Sequence, residues 1–230
     1  MKILGLQKMT LLDYPHKVAA TVFTGGCNFC CPYCHNASLV LQVEQAQKIA
    51  EKEIFDFFIK RKGVLDGVCL SGGEPLLQKG IEDFIARIKD LGFLVKIDTN
   101  GSFPELLKKL VRNGLIDYVA MDIKNSPAAY AQTAGTSETV LPKIKESAAF
   151  LLTAPVEYEF RTTVVKNFHQ AEDFAAIGQW LKGAEKYFLQ NFVDSGDLIQ
   201  PGLQGVSRSE LAAFVQILRE YIPSARIRGT

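Results

Sequence analysis

The chain has 230 residues, 47% hydrophobic and 22% charged, with 26 Lys+Arg against 25 Asp+Glu for a net charge of +1. These values exclude a disordered composition and a bulk basic field for phosphate backbones, so the expectation is a single folded domain over residues 1–230 with no nucleic-acid partner. MKILGLQKMTLLDYPHK (1–17) is too often charged or polar for a signal-peptide core, and no later run reaches membrane-spanning length, which points to the cytoplasm and away from a membrane.

In chain order, VAATVFT (18–24) reads as the first strand, and residues 42–61 as a helix with Val43, Ala46, Ala50, Ile54, Phe57 and Phe58 on one stripe. GVCLSGG (67–73) is the second strand, and Ile81, Phe84, Ile85, Ile88 and Leu91 form the next helical stripe, closed by Gly92. FLVKIDT (93–99) precedes a helix with Ser102 as N-cap and Pro104 in its first turn, ending near Gly114. IDYVAMDIK (116–124) is strand four, 125–137 a loop, and 138–152 the fourth helix. VEYEFRTTV (156–164), a helix at 171–182, KYFLQNF (186–192) and a last helix capped by Ser207 and Glu210 complete the pattern.

Six strand-helix units imply a parallel sheet joined by crossovers and fall short of a closed eight-unit barrel. The predicted fold is α/β, a partial (β/α)6 barrel with parallel strands and an open lateral side, with a flat doubly wound sheet as the alternative. In either fold chemistry gathers at the carboxyl ends of the strands.

Four of the five cysteines fall in CNFCCPYCHN (27–36). In a reducing compartment such a cluster points to metal or redox chemistry. Cys27, Cys31 and Cys34 form C-x3-C-x2-C after Gly25 and Gly26, and three cysteines can hold three irons of a [4Fe-4S] cluster with the fourth iron open. Zinc ligation by all four thiols is the competing reading. Cys69 is expected to be packing.

This spacing, directly after the first strand of a βα repeat, resembles the radical S-adenosylmethionine superfamily. The ending CHN resembles the glycyl-radical-enzyme activating family, and LLDYPHKVAATVFTGGCNFCCPYCHN (11–36) is similar to the activating proteins of anaerobic ribonucleoside-triphosphate reductase. The resemblance implies a cluster loop at 25–36 with Cys27, Cys31 and Cys34 as metal ligands. It also implies reductive cleavage of S-adenosylmethionine to a 5′-deoxyadenosyl radical, which removes hydrogen from a glycine of a partner enzyme. A flavodoxin- or ferredoxin-type donor would supply the electron.

Three further stretches agree with it. SGGEP (71–75) resembles the GGE motif, so Gly72, Gly73 and Glu74 are expected at the amino end of S-adenosylmethionine; alone, it reads as a turn opening a helix. DTNG (98–101), otherwise an ordinary turn, resembles a stretch beside the cofactor, with Asp98 and Asn100 carried over; Asp98, Thr99 and Asp122 would form a monovalent-cation site. MDIK (121–124) resembles the DLK motif, and a spacing of two puts Asp122 and Lys124 on one face. By the same resemblance Asn36 borders the cofactor. Arg161 in an apolar strand needs an anion, either the cofactor carboxylate or a structural carboxylate such as Glu159. The histidine that pyruvate formate-lyase activating enzymes carry after the sixth strand is missing: YFLQNFV (187–193) offers Gln190 and Asn191, and His16 and His169 lie elsewhere. DSGDLIQPGLQG (194–205), with its glycines, reads as a mobile lid or docking loop. A radical enzyme acting on a small molecule or peptide, and a non-catalytic metal-binding module, are the alternatives.

Overall fold

Six β-then-α units run through the chain in the order the sequence predicts, and a seventh parallel strand follows them. The structure is a computed structural model and describes residues 1–229. Strands β1 (Ile3–Thr10), β2 (Ala19–Thr24), β3 (Gly67–Gly72), β4 (Leu94–Thr99), β5 (Tyr118–Asp122), β6 (Glu157–Val164), β7 (Tyr187–Asn191) and β8 (Arg226–Arg228) form one sheet in chain order. All neighbours from β2 to β8 are parallel, and β1 pairs antiparallel with β2. The sheet is open, with β1 and β8 as its edges. It is the partial barrel that was expected, carrying two strands more than the six predicted.

Both additions are edge strands. β1 was hidden because Gln7, Lys8 and Met9 face solvent, as befits a strand with one free edge. β8 has only three residues, two of them arginines.

The crossovers are α2 (Glu51–Lys60), α3 (Ile81–Asp90), α4 (Pro104–Arg112), α6 (Leu141–Leu151), α7 (Ala171–Trp180) and α8 (Arg208–Arg219). Two short helices, α1 (Ala37–Leu41) and α5 (Tyr130–Ala134), lie in loops that follow strands. The helix predicted over 42–61 begins nine residues later, at Glu51. Residues 43–46 form a turn, with Ala46 N–H bonded to the Gln42 carbonyl at 3.1 Å, and Ile49 donates its N–H to the Ile3 carbonyl at 2.8 Å, so Val43, Ala46 and Ala50 share no helical face. The 125–137 loop contains α5, which its Gly, Ser and Pro content concealed. Ser102 does not cap α4: the N-cap is Phe103 without a side-chain bond, and the Ser102 hydroxyl donates instead to Asn100 Oδ1 at 2.5 Å. The capping box at Ser207 and Glu210 forms as predicted.

Alternate residues of each strand divide the sheet into two faces. Val22, Leu70, Ile97 and Val119 sit in register under the helices and join Phe58, Phe84, Ile88 and Leu107 in the main core. The other face carries Thr21, Cys69, Lys96 and Tyr118 in register, then Asp98, Glu159 and Arg161 on the same side. Tyr14, in the loop between β1 and β2, packs on Ala19 and Tyr118 at the amino ends of these strands. The inner face is therefore polar and charged, and its polar groups converge at the carboxyl ends.

Candidate active site

A cavity of about 250 Å³ opens at the carboxyl ends of the strands. Cys27, Cys31 and Cys34 line one wall; Asp98, Asp122, Lys124 and Arg161 line the others, with Asn36, Gly72, Gly73 and Asn100 between them. Of the residues predicted from sequence, all but Glu74 reach it.

The cysteine loop has little regular structure and is shaped by its neighbours. Gly25 donates to the Lys2 carbonyl at 2.9 Å and Gly26 to the Leu39 carbonyl at 2.8 Å. Glu74 N–H donates to the Gly26 carbonyl at 2.9 Å, and a Cβ on Gly73 would lie 2.0 Å from that same oxygen. Gly72 has φ +108° and a Cβ there would stand 2.5 Å from the Thr24 carbonyl. These glycines thus let the turn after β3 touch the cysteine loop directly. Asn36 ties the far end, donating to the Gly72 carbonyl at 3.0 Å.

Glu74 does not line the cavity. It is fully buried behind the cavity wall. Its carboxylate accepts from Leu76 N–H at 3.1 Å, Thr99 Oγ1 at 2.8 Å and Asn100 N–H at 2.7 Å. Three donors occupy it, so its work is to hold the DTNG turn against the turn after β3. Asn100, so fixed, donates to Asn28 Oδ1 at 3.0 Å and approaches Cys27 Sγ at 3.8 Å.

Arg161, on β6, is answered by carboxylates of the two preceding strands, Asp98 on β4 and Asp122 on β5. Its Nε donates to Asp122 Oδ1 at 2.9 Å and its Nη1 lies 3.5 Å from Asp98 Oδ2. Glu159, the structural partner suggested from sequence, is engaged elsewhere, accepting two bonds from Arg228 at 2.6 and 2.7 Å and one from Tyr118 at 2.8 Å. Lys124 pairs with Asp122 at 3.1 Å, and Lys96 pairs with Asp98. Burial raises the Asp122 carboxyl, but Arg161 and Lys124 outweigh it and hold the group down at about 2. Asp98 is likewise raised by burial and, on balance, lowered by Arg161 and Lys96. Lys96, fully buried in β4, was missed in the sequence. Its mark was a lysine in an inward register position of an apolar strand.

His169 is buried and outside the cavity, with Nε2 against the Lys124 carbonyl at 2.9 Å and Nδ1 accepting from Val165 N–H at 3.2 Å. It braces the Lys124 backbone. His16 is exposed in the loop before β2. At the missing histidine's side of the site stand Gln190 and Thr163, neighbours in register that both line the cavity. The 194–205 loop is bonded to the cysteine loop by Gln200 N–H to the Pro32 carbonyl and, through Asp197, to Ser38 of α1.

The residues fit an iron-sulfur group. Burial pushes the Cys27 thiol up to about 12, against the Phe29 N–H, and Cys31 up to about 11 against the Lys124 charge, so metal loading must displace protons. Lys124 and Arg161 offer positive charge to an anionic group. Tyr33, between two of the cysteines and on the cavity wall, has a buried hydroxyl without a hydrogen-bond partner. Among the described residues no three Cys, His, Asp or Glu side chains converge as on a single ion. A cubane asks each thiolate for a different iron, so separate sulfurs around one cavity suit it. Cys30 is exposed and Cys69 buried on the inner face near Lys96, and neither joins the site.

The Radical SAM superfamily model matches residues 21–148, more than half of the chain. The chain belongs to the Radical SAM superfamily. A Methanocaldococcus jannaschii protein with the provisional name glycyl-radical enzyme activating enzyme is 35% identical, over 97% of this chain and 94% of that one. A Selenomonas ruminantium S-adenosylmethionine-dependent nucleotide dehydratase is 30% identical over 84% of this chain and 72% of that protein. Among solved structures, Streptococcus suis SuiB bound to precursor peptide SuiA superposes with a TM-score of 0.72 at 13% identity, covering 91% of this chain and 48% of that chain. That likeness is one of fold: this Radical SAM chain carries the same partial barrel. Among the described residues no helix is long and apolar enough to cross a membrane.

Proposed function

We propose that the chain is a glycyl-radical enzyme activase, working as one Radical SAM domain over 1–230 in a reducing cytoplasm. The observation that carries this reading is the gathering of Cys27, Cys31 and Cys34 with Asp98, Asp122, Lys124 and Arg161 around one cavity. The 35% identity to a relative named for glycyl-radical enzymes, running through nearly the whole chain, supports the choice of substrate. The LLDYP to CHN segment supports anaerobic ribonucleotide reductase as the partner.

In this reading Cys27, Cys31 and Cys34 hold a [4Fe-4S] cluster, and S-adenosylmethionine lies against Asn36, Gly72, Gly73, Asp98, Asn100, Asp122, Lys124 and Arg161. When bound and given an electron by a flavodoxin- or ferredoxin-type donor, this pair supplies a 5′-deoxyadenosyl radical able to take hydrogen from a glycine Cα. The protein's share is orientation and exclusion of water. Arg161 and Lys124 present fixed positive charge to the cofactor carboxylate, and Asp98 and Asp122 keep both side chains extended into the cavity. Glu74 fixes the Asn100 backbone from behind. A monovalent cation at Asp98, Thr99 and Asp122 is not part of this reading, because Lys96, Lys124 and Arg161 already neutralise those carboxylates.

The similarity to a nucleotide dehydratase favours a second reading, a radical enzyme acting on a small molecule. One experiment separates them. Iron and sulfide are reconstituted anaerobically, and dithionite and S-adenosylmethionine are added with and without the anaerobic reductase. We expect 5′-deoxyadenosine from the wild type and none from Cys27→Ala, with a glycyl doublet in the electron paramagnetic resonance spectrum of the reductase. Product without a doublet would move the assignment to a small substrate; no cluster and no product would end both readings.

A further inference from the structure

The fourteen residues after β7, 192–205, leave the sheet and return to its end at Asn191. Phe192 N–H donates to the Val164 carbonyl at 2.9 Å, and the Asn191 side chain closes the return by bonding Val206 N–H at 2.9 Å and Val206 carbonyl at 2.8 Å. A loop of this length with its ends stapled is an Ω-loop. Its body crosses the cysteine loop.

We propose that residues 192–205 are a clasp on the cysteine loop and that Asp197 is a positioning residue for Cys34. Asn36 is the N-cap residue of α1, yet its side chain is committed to the Gly72 carbonyl and makes no capping bond. Asp197 takes over from 159 residues away: Oδ1 accepts from Ser38 N–H at 3.1 Å, and Oδ2 accepts from Ser38 N–H at 3.2 Å and Ser38 Oγ at 2.7 Å. On the other side of Cys34, Gln200 N–H donates to the Pro32 carbonyl at 2.8 Å. Phe192 stands edge-on to His35, ring centres 5.2 Å apart. The clasp thus grips the chain before and after Cys34. Between those grips the backbone makes only two local bonds, Cys34 N–H to the Cys31 carbonyl at 3.0 Å and Val40 N–H to the Asn36 carbonyl at 3.1 Å. Such a segment has little intrinsic stability, so an external carboxylate bonded three times decides where the third sulfur stands.

The inference rests on the cluster reading for its purpose but is tested apart from it. In apo protein, iodoacetamide labelling of Cys34 is compared by peptide mass spectrometry with labelling of exposed Cys30. In reconstituted protein, loss of the visible absorption to an iron chelator is followed anaerobically. For Asp197→Ala we expect both the Cys34:Cys30 labelling ratio and the rate of cluster loss to rise about tenfold, the scale of a lost charge-assisted hydrogen bond. Asp197→Asn, which keeps an acceptor, should lie between it and the wild type. Ratios and rates within twofold of wild type in Asp197→Ala overturn the proposal. Should that variant fail to melt cooperatively, Ser38→Ala, which removes one of the three bonds, decides in the same way. A wild type that takes up no cluster refutes the proposed function, while the labelling ratio still judges the clasp.

Discussion

Arg161 shows how one charge can be both costly and useful. A guanidinium inside a barrel is tolerable only when paired, and here Asp98 and Asp122 come from the two preceding strands to meet it. Each aspartate is also bonded to a lysine, so three cations and two carboxylates interlock at and beneath the cavity. Breaking one link should be felt as a pH effect. Asp122 is held at about 2 in the fold, below its ordinary 3.8, so its pairing stabilises the native state above pH 3.8 and is lost as pH falls toward 2. The stability gap between wild type and Asp122→Asn, measured by urea melts of apo protein, should therefore be widest near neutrality. It should narrow progressively below about pH 4. A gap constant from pH 7 to pH 3 would show that Asp122 is not held by charge.

At the scale of elements, the edge strands define the open barrel. β8 is too short to hold itself by ladder bonds, but Arg228 reaches inward to the fully buried Glu159 and lies 3.6 Å from the Phe188 ring centre. Glu159 would otherwise be a buried, uncompensated carboxylate. Arg228→Met should cost about 3 kcal/mol, at the low end for a broken buried pair because Arg228 is partly exposed, and lower the melting temperature by roughly 10 °C. Tyr118→Phe, which leaves the ion pair intact, should cost about 1 kcal/mol. Equal effects of the two substitutions would place the Glu159 partnership in the tyrosine instead.

For the whole molecule, the apolar core lies between sheet and helices, while the inner face holds the charged groups and the cavity. The layers meet at the cysteine loop, whose Phe29, Cys31 and Tyr33 are buried in the main core cluster, but the strands and helices of the barrel supply most of that core. Loading and removing the cluster should leave the far-UV circular dichroism of the chain essentially unchanged while shifting its melting temperature upward on loading. A large gain in secondary structure on loading would mean that the barrel itself folds around the metal.

Residues 11–36 and the strand-end motifs were legible in the sequence because each is local: a cysteine spacing, a glycine pair, a charge at a register-two position. The six strand-helix units were legible for the same reason, since hydrophobic period is a property of short windows. What lay outside those windows depended on pairings across the chain. β1 is a strand because β2 accepts it, and 42–50 stays out of the helix because it turns at 43–46 and Ile49 bonds to Ile3. Glu74 faces the interior because Thr99 and Asn100 close over it, and Ser102 turns to Asn100 instead of capping its helix. The amino-acid order alone therefore determined which groups this protein possesses and the repeating units that carry them. Only the tertiary structure decided which carboxylates answer Arg161, which distant side chain bonds Ser38 beside the cysteine loop, and which donors surround Glu74. The physical reason is that hydrogen bonds and ion pairs between distant segments are set by sheet register and curvature, which no local pattern encodes.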